Sequence, residues 1–182
     1  MIGNDIVDLC LAKIQSNWQR KDFLEKQFTI AEQEAIAKAE NPFQLVWLFW
    51  SMKEATYKCY TQQYPNRFFA PKKLQCSLIS SNEGIIKIYD KEYYSFSKIH
   101  SNYIHTVASS SLKKSIVKDF LLDKKLNEST VVKQQLLSYF PEEVRLEKNK
   151  FGIPSLHQQQ KLPISISLSH HGNYGGFAFQ ND

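Results

Sequence analysis

The stretch from Phe43 to Tyr60 constrains the fold of this chain more than any other. Leu45, Leu48, Phe49, Met52, Ala55, Thr56 and Cys59 recur at steps of three and four, which predicts a long helix with one broad apolar face. Asn41-Pro42 ends the helix before it and starts this one, and Tyr64-Pro65-Asn66 breaks it. Hydrophobic residues make up 42% of the 182, with twelve Phe, nine Tyr and three Trp among them. That supplies a sizeable core for one ordinary domain, or for two small halves that share one.

Around the long helix the pattern is mixed. Ile2, Ile6, Val7 and Leu9 flank a Gly3-Asn4-Asp5 break, read as a short strand running into a turn or helix start. Thr29 caps a helix carrying Ala31, Ala35, Ile36 and Ala39, within Phe23 to Lys38. Leu74–Ser80, Gly84–Tyr89 and roughly Tyr93–Ala108 read as strands separated by turn residues, hence hairpins. Ser109-Ser110-Ser111 marks the boundary between residues 1–110 and 111–182. Beyond it, Ile116, Phe120 and Leu121, then Val131, Val132, Leu136 and Leu137, predict two helices. Strand-like pieces follow at Glu143–Glu147, Ile164–Leu168 and Tyr174–Phe179. Both halves thus read as helices first and antiparallel strands after, an α+β arrangement, with no sequence repeat between them.

The net charge of +5 divides as +2 over residues 1–110 and +3 over 111–182, so there is no basic tail. A solvated surface accounts for it; phosphates or an acidic protein are the partners such a surface would favour. No basic stripe or zinc pattern points to nucleic acid. Cys10, Cys59 and Cys76 are too few and scattered for a disulfide framework or zinc site, as in a reducing cytosol. The longest apolar run, Leu45 to Trp50, is far short of a membrane span, and the start lacks a signal-peptide pattern. The expectation is a soluble, cytoplasmic protein.

Three groups carry chemistry. Glu54 and Lys58 stand four apart on one helix face, beside Lys53. Such a pair is ordinarily a surface ion pair, but it also sets a carboxylate for a metal one turn from an ammonium for a phosphate. Asp5 is ordinarily a turn or cap residue, and otherwise a second hard oxygen ligand; two carboxylates with phosphates and water are how Mg²⁺ is usually held. Ser169-His170-His171-Gly172 stands at a strand end. Neighbouring histidines on a strand face opposite ways and no third ligand is spaced for zinc. A buried histidine, or an imidazole and hydroxyl offered to phosphate, remain open.

Taken in order, these segments resemble a known family. Ile2-Gly3-Asn4-Asp5-Ile6-Val7-Asp8-Leu9 is similar to the N-terminal signature of 4'-phosphopantetheinyl transferases. Trp50-Ser51-Met52-Lys53-Glu54-Ala55-Thr56-Tyr57-Lys58 is similar to their second signature, with Phe28-Thr29 and the acids after it between the two. Phe151-Gly152-Ile153-Pro154 and Ser167-Leu168-Ser169-His170-His171-Gly172 resemble motifs that the longer, two-half type carries in its first half, yet here they come last. The resemblance implies the transferase fold with two similar halves related by a pseudo-twofold, circularly permuted, and a monomer. The competing expectation is a short-type trimer with an insertion near residues 95–150.

Carried onto this sequence, the resemblance implies Mg²⁺ held by Asp5, Glu54 and the pyrophosphate of coenzyme A. Lys58 would sit on the phosphates, Ser169 and His170 at the 3'-phosphate region, and Glu54, directly or through a bound water, would act as base for a serine of an apo acyl or peptidyl carrier protein. The position of a family lysine is Ile153 here, so Lys150, Lys148 or Lys114 would replace it. Val7 stands where the longer type has an acid, and Asp8, facing away from Asp5 on a strand, is a poor third ligand. Arg67, Phe68, Phe69, Lys72 and Lys73 form a candidate carrier surface, or else an ordinary packed loop. The alternative function is a non-catalytic module binding coenzyme A or the carrier on the same scaffold.

Overall fold

The computed structural model describes residues 1–65, 68, 70–111, 113–123 and 125–181. The long apolar helix is its central beam. This helix, α4 (Pro42–Gln63), begins as its sequence requires: the Asn41 side chain accepts from the Gln44 N–H, and Pro42 occupies the first turn, where its missing donor costs nothing. Before it come β1 (Ile2–Asp8), α1 (Leu9–Gln15), α2 (Phe23–Gln27) and α3 (Ile30–Lys38). Thr29 caps α3 in a full capping box, its hydroxyl accepting from Glu32 N while Glu32 Oε2 accepts from Thr29 N.

After α4, a 3₁₀ turn (Pro71–Lys73) leads into β2 (Gln75–Leu78), β3 (Glu83–Ile88), β4 (Lys91–Ile99) and β5 (Tyr103–Ser109). They join β1 in an antiparallel sheet of order β1-β5-β4-β3-β2, with β1 at one edge. The other elements are β6 (Ile116–Leu121), α5 (Glu128–Leu137), β7 (Arg145–Lys148), β8 (Pro154–Gln158), β9 (Gln160–Lys161), β10 (Ile164–His171) and β11 (Tyr174–Asn181). They make two three-stranded sheets, β10-β11-β6 and β7-β8-β9. The fold is α+β.

Four sequence expectations change. The run at Ile116–Leu121 is a strand, β6, because β11 is there to pair with it along its whole length. The part after Ser111 therefore opens on a strand rather than a helix. Tyr93–Ala108 is a hairpin, β4 and β5, turned at His100–Asn102, and β8 lies in a stretch for which no element is expected from sequence. There is also a short repeat: His100-Ser101-Asn102-Tyr103 opens β5 as His171-Gly172-Asn173-Tyr174 opens β11. The backbone reuses it, since Asn102 O accepts from Leu9 N just past β1 and Asn173 O accepts from Leu122 N just past β6, both at 2.8 Å. Tyr103 and Tyr174 stack on each other, ring centroids 4.5 Å apart.

Two apolar clusters hold these layers. Phe28, Ile36, Phe49, Met52, Ile86, Ile88, Tyr93 and Ile104 bury between the helices and the five-stranded sheet; Leu136, Val144, Leu156, Ile166 and Phe177 bury under α5. Between the sheets, β1 packs against β10 and β11 on one face and α4 on the other. Gly3 is what lets α4 approach so closely. A Cβ there would run into the Ala55 carbonyl and stand 2.6 Å from Cys59 N, both backbone atoms of the helix.

Candidate functional site

Alternation along β1 sorts its polar residues. Gly3 and Asp5 face α4, while Asn4 and Asp8 face the second sheet. Asp5 thus lies in mid-strand, not in the turn or at the strand end. Its Oδ1 accepts from Lys58 Nζ at 3.1 Å, and Lys58 also donates to the Asn4 carbonyl at 2.9 Å. Glu54 is one turn before Lys58 on the same helix face. Burial pushes its carboxyl from the ordinary 4.5 to about 7; the negative charge of Asp5 adds to the rise and Lys58 opposes it. Asp5 thus pairs with the Lys58 ammonium, and Glu54 feels the charge of both.

Asp8 takes the role of cap. Its Oδ1 accepts from Leu11 N at the start of α1 and its Oδ2 from Asn173 N in the β10–β11 turn. Gly172 has φ +58°, and any Cβ on it would collide with the Asp8 carboxylate, so glycine is needed twice over. The backbone N–H of Asp8 donates to His171 Nδ1 at 2.9 Å. That places His171 in the joint between the sheets, as a hydrogen-bonded histidine.

Lys53, beside Glu54 in sequence, points elsewhere. One residue along a helix turns the side chain by about 100°, and Lys53 is only 2% exposed. Its ammonium pairs with Glu32 Oε2 at 2.8 Å and donates to the carbonyls of Pro71 and Leu74. Glu32 Oε1 accepts from Cys76 N at 2.7 Å. This buried pair ties α3, α4 and the entry to β2 together, and its ammonium is spent on the fold. Phe68 packs edge-on against Tyr57 and Tyr60, and Lys73 donates to the Tyr89 hydroxyl. Arg67 and Phe69 lie outside the described residues.

A cleft of about 650 Å³ opens beside Lys58. Its walls are Tyr57, Lys58, Thr61 and Gln62 of α4 on one side. On the other are Ser129 and Lys133 of α5, Lys148 of β7, Phe151–Pro154, and Leu168 and His170 of β10. Gln62 stitches the floor, donating to the carbonyls of Ile2 and Ile166. His170, half exposed, has Nδ1 3.0 Å from Glu128 Oε2 at the rim. Among the described residues, four bring positive or ionisable nitrogen to this hollow: Lys58, Lys133, Lys148 and His170. Glu54 borders a smaller recess of about 390 Å³ with Tyr57, Phe68, Ala70, Pro71 and Leu74.

Of the residues expected from sequence, Lys58 and His170 line the cleft, Asp5 pairs with Lys58, and Glu54, one turn before Lys58, borders the smaller recess. Ser169 does not face the cleft. Strand alternation turns Ser169 inward, where its hydroxyl accepts from Asn4 Nδ2 at 2.8 Å. Lys150 lies over the Phe151 ring and Lys114 is exposed ahead of β6; neither lines the cleft among the described residues. Lys148, one of the three lysines considered for the role, does line it, and Lys133 joins it unforeseen. The signal for Lys133 was its place one turn after Ser129 on α5, but nothing in that helix says which neighbour it meets.

Among the described residues no three His, Cys, Asp or Glu side chains gather as a metal cluster. Asp5 and Glu54 would be the whole protein contribution, which suits Mg²⁺, a cation usually bound by one or two carboxylates plus phosphates and water. No helix among the described residues is long and apolar enough to cross a membrane.

Comparison with known proteins adds to this geometry. No curated protein sequence matches the chain. The solved structure of holo-[acyl-carrier-protein] synthase from Thermotoga maritima superposes with a TM-score of 0.47 at 10% identity, covering 88% of this chain and 83% of that one. Residues 1–108 match the sequence profile of the 4'-phosphopantetheinyl transferase superfamily. That span exceeds half of the 182 residues and holds Asp5, Glu54 and Lys58, so the chain belongs to the 4'-phosphopantetheinyl transferase superfamily.

Proposed function

We propose that this chain transfers the 4'-phosphopantetheine arm of coenzyme A to a serine of an apo acyl or peptidyl carrier protein, releasing 3',5'-ADP. The observation that carries the reading is the junction of two sites. Lys58, paired with Asp5 and one helical turn from Glu54, lines a cleft that also holds Lys133, Lys148 and His170.

The cleft suits a ligand with phosphates at one end. Lys58, Lys133 and Lys148 offer point charges to them, and His170 offers an imidazole at the rim. Lys58 has three donors and, among the described residues, gives two of them to Asp5 and the Asn4 carbonyl, which leaves the third for the cleft. Mg²⁺, held by Asp5 and Glu54 with the pyrophosphate, would neutralise charge on the leaving phosphate. Glu54, directly or through a bound water, would accept the proton of the carrier serine hydroxyl. The serine oxygen then bonds to the β-phosphorus, whose bond to the bridging oxygen breaks. Positioning and charge supply most of the acceleration in transfers of this kind.

Residues of both 1–110 and 111–182 line the cleft, which supports reading the chain as two halves that complete one site within a monomer. Incubating the protein with coenzyme A, Mg²⁺ and apo-carrier, then weighing the carrier, tests the function. A gain of one phosphopantetheine, abolished by Glu54→Ala, is expected. Coenzyme binding with no gain across several carriers would leave a binding module instead.

A further inference from the structure

The residue between Gly3 and Asp5 has no part in the transfer as described, yet the joint between the sheets closes on it. Asn4 is wholly buried. Its backbone N–H donates to Ser167 Oγ at 2.9 Å and its side-chain Nδ2 to Ser169 Oγ at 2.8 Å, both on β10. The same Nδ2 lies 3.0 Å from His105 Nε2 on β5. Its carbonyl oxygen accepts from Lys58 Nζ. β1 is an edge strand, so at Asn4 the backbone N–H and C=O point off the sheet, one to β10 and the other to the lysine at the cleft.

His105 is buried and fixed from its other side. An amide nitrogen only donates, so His105 Nε2 accepts and the ring proton sits on Nδ1. Nδ1 faces Asp119 Oδ1 of β6 at 3.7 Å. Asp119 also accepts from Lys98 and from the Tyr103 hydroxyl at 2.6 Å. A continuous chain of polar contacts thus runs from β6 through His105 to Asn4, and from there to Lys58 and Asp5.

We propose that Asn4 and His105 are positioning residues for transfer. Asn4 holds the Lys58 ammonium at a set distance from the β10 wall of the cleft, and His105, oriented by Asp119, holds the Asn4 amide. The inference rests on the transferase reading above. Among the described residues Asn4 Oδ1 is buried with no partner, so the amide is held through its nitrogen alone. What the amide supplies is direction: it grips a serine of one sheet and a histidine of the other, while its backbone carries the lysine. A misplacement of about 1 Å at such a point can cost two orders of magnitude in rate.

The test compares His105→Leu, His105→Gln and Ser169→Ala in the full chain. Transfer is measured with saturating coenzyme A and carrier, and the Lys58 ammonium is followed by NMR with ¹⁵N-lysine. His105→Gln keeps a carbonyl for the Asn4 amide; His105→Leu does not. We expect kcat to fall about tenfold or more in His105→Leu and Ser169→Ala, with the Lys58 ammonium signal broadened by solvent exchange. In His105→Gln both should return to within about threefold of the parent. A parent-like kcat and Lys58 signal in both His105→Leu and Ser169→Ala would overturn the proposal. So would a kcat loss that vanishes at a lower temperature where the variants are fully folded, which would mark a stability effect. If the parent chain itself transfers nothing, the transferase reading fails and this inference falls with it; if only the variants match the parent, this inference alone fails.

Discussion

Replacing Glu54 by glutamine should stabilise the metal-free protein at alkaline pH while removing its activity. The folded chain lifts this carboxyl from 4.5 to about 7, through burial first and Asp5 second. A tenfold change in proton affinity corresponds to roughly 1.4 kcal/mol. A raised folded-state value means the native state binds more protons than the unfolded one between the two values, so stability falls as pH rises through that window. The charged Glu54 therefore costs the fold about 3 kcal/mol at pH 8, about 1 at pH 5.5 and almost nothing at pH 4.5. Glutamine stays neutral throughout. Urea denaturation in a chelating buffer should show Glu54→Gln more stable than the parent by about 3 kcal/mol at pH 8, with the difference nearly closed by about pH 4.5. In melting temperature the pH 8 gain is about 6–12 °C for a chain of this size. A constant difference at every pH, or a loss of stability at pH 8, would refute the argument that Glu54 is held charged against its own burial. Adding Mg²⁺ at pH 8 should stabilise the parent more than the variant, because the cation offsets the repulsion between Glu54 and Asp5.

Further outcomes follow from the same geometry. Lys53→Met should destabilise the fold by about 3–5 kcal/mol, because Glu32 is left charged and buried; a double-mutant cycle with Glu32→Gln should recover much of that loss, and additive effects would contradict the pairing. Gly3→Ala should cost about 2–3 kcal/mol, read as a lowered urea midpoint, since the added methyl meets backbone atoms of α4. Lys148→Ala and Lys133→Ala should each weaken coenzyme A binding about tenfold in calorimetry, more at low salt than high, whereas Lys150→Ala and Lys114→Ala should leave it unchanged. Equal losses from all four lysines would mean that general basicity, and not the cleft, holds the phosphates.

Some of this molecule is legible in short windows of sequence because local geometry alone decides it. The three-and-four spacing of Leu45 to Cys59 places the apolar side of α4, and the four-residue step places Glu54 and Lys58 on one face. Thr29 and Asn41 cap the helices they precede, since capping needs only neighbours in sequence. Other features required the partner to be present. Ile116–Leu121 has the apolar spacing of a helix, and only β11, some sixty residues on, makes it a strand. Lys53 and Lys58 are the same residue type five positions apart, yet one is buried on Glu32 and the other faces the cleft, because each helix face meets a different neighbour. Ser169 reads as a coenzyme contact and instead turns inward to Asn4, a residue that gives no sign of its role in sequence. The sequence by itself determined the helix register and the residue types of the Asp5, Glu54 and Lys58 set. Which lysines line the cleft, and what holds Lys58 in place, was decided by how β1 and β10 pack, a contact between segments some 160 residues apart that no local pattern encodes.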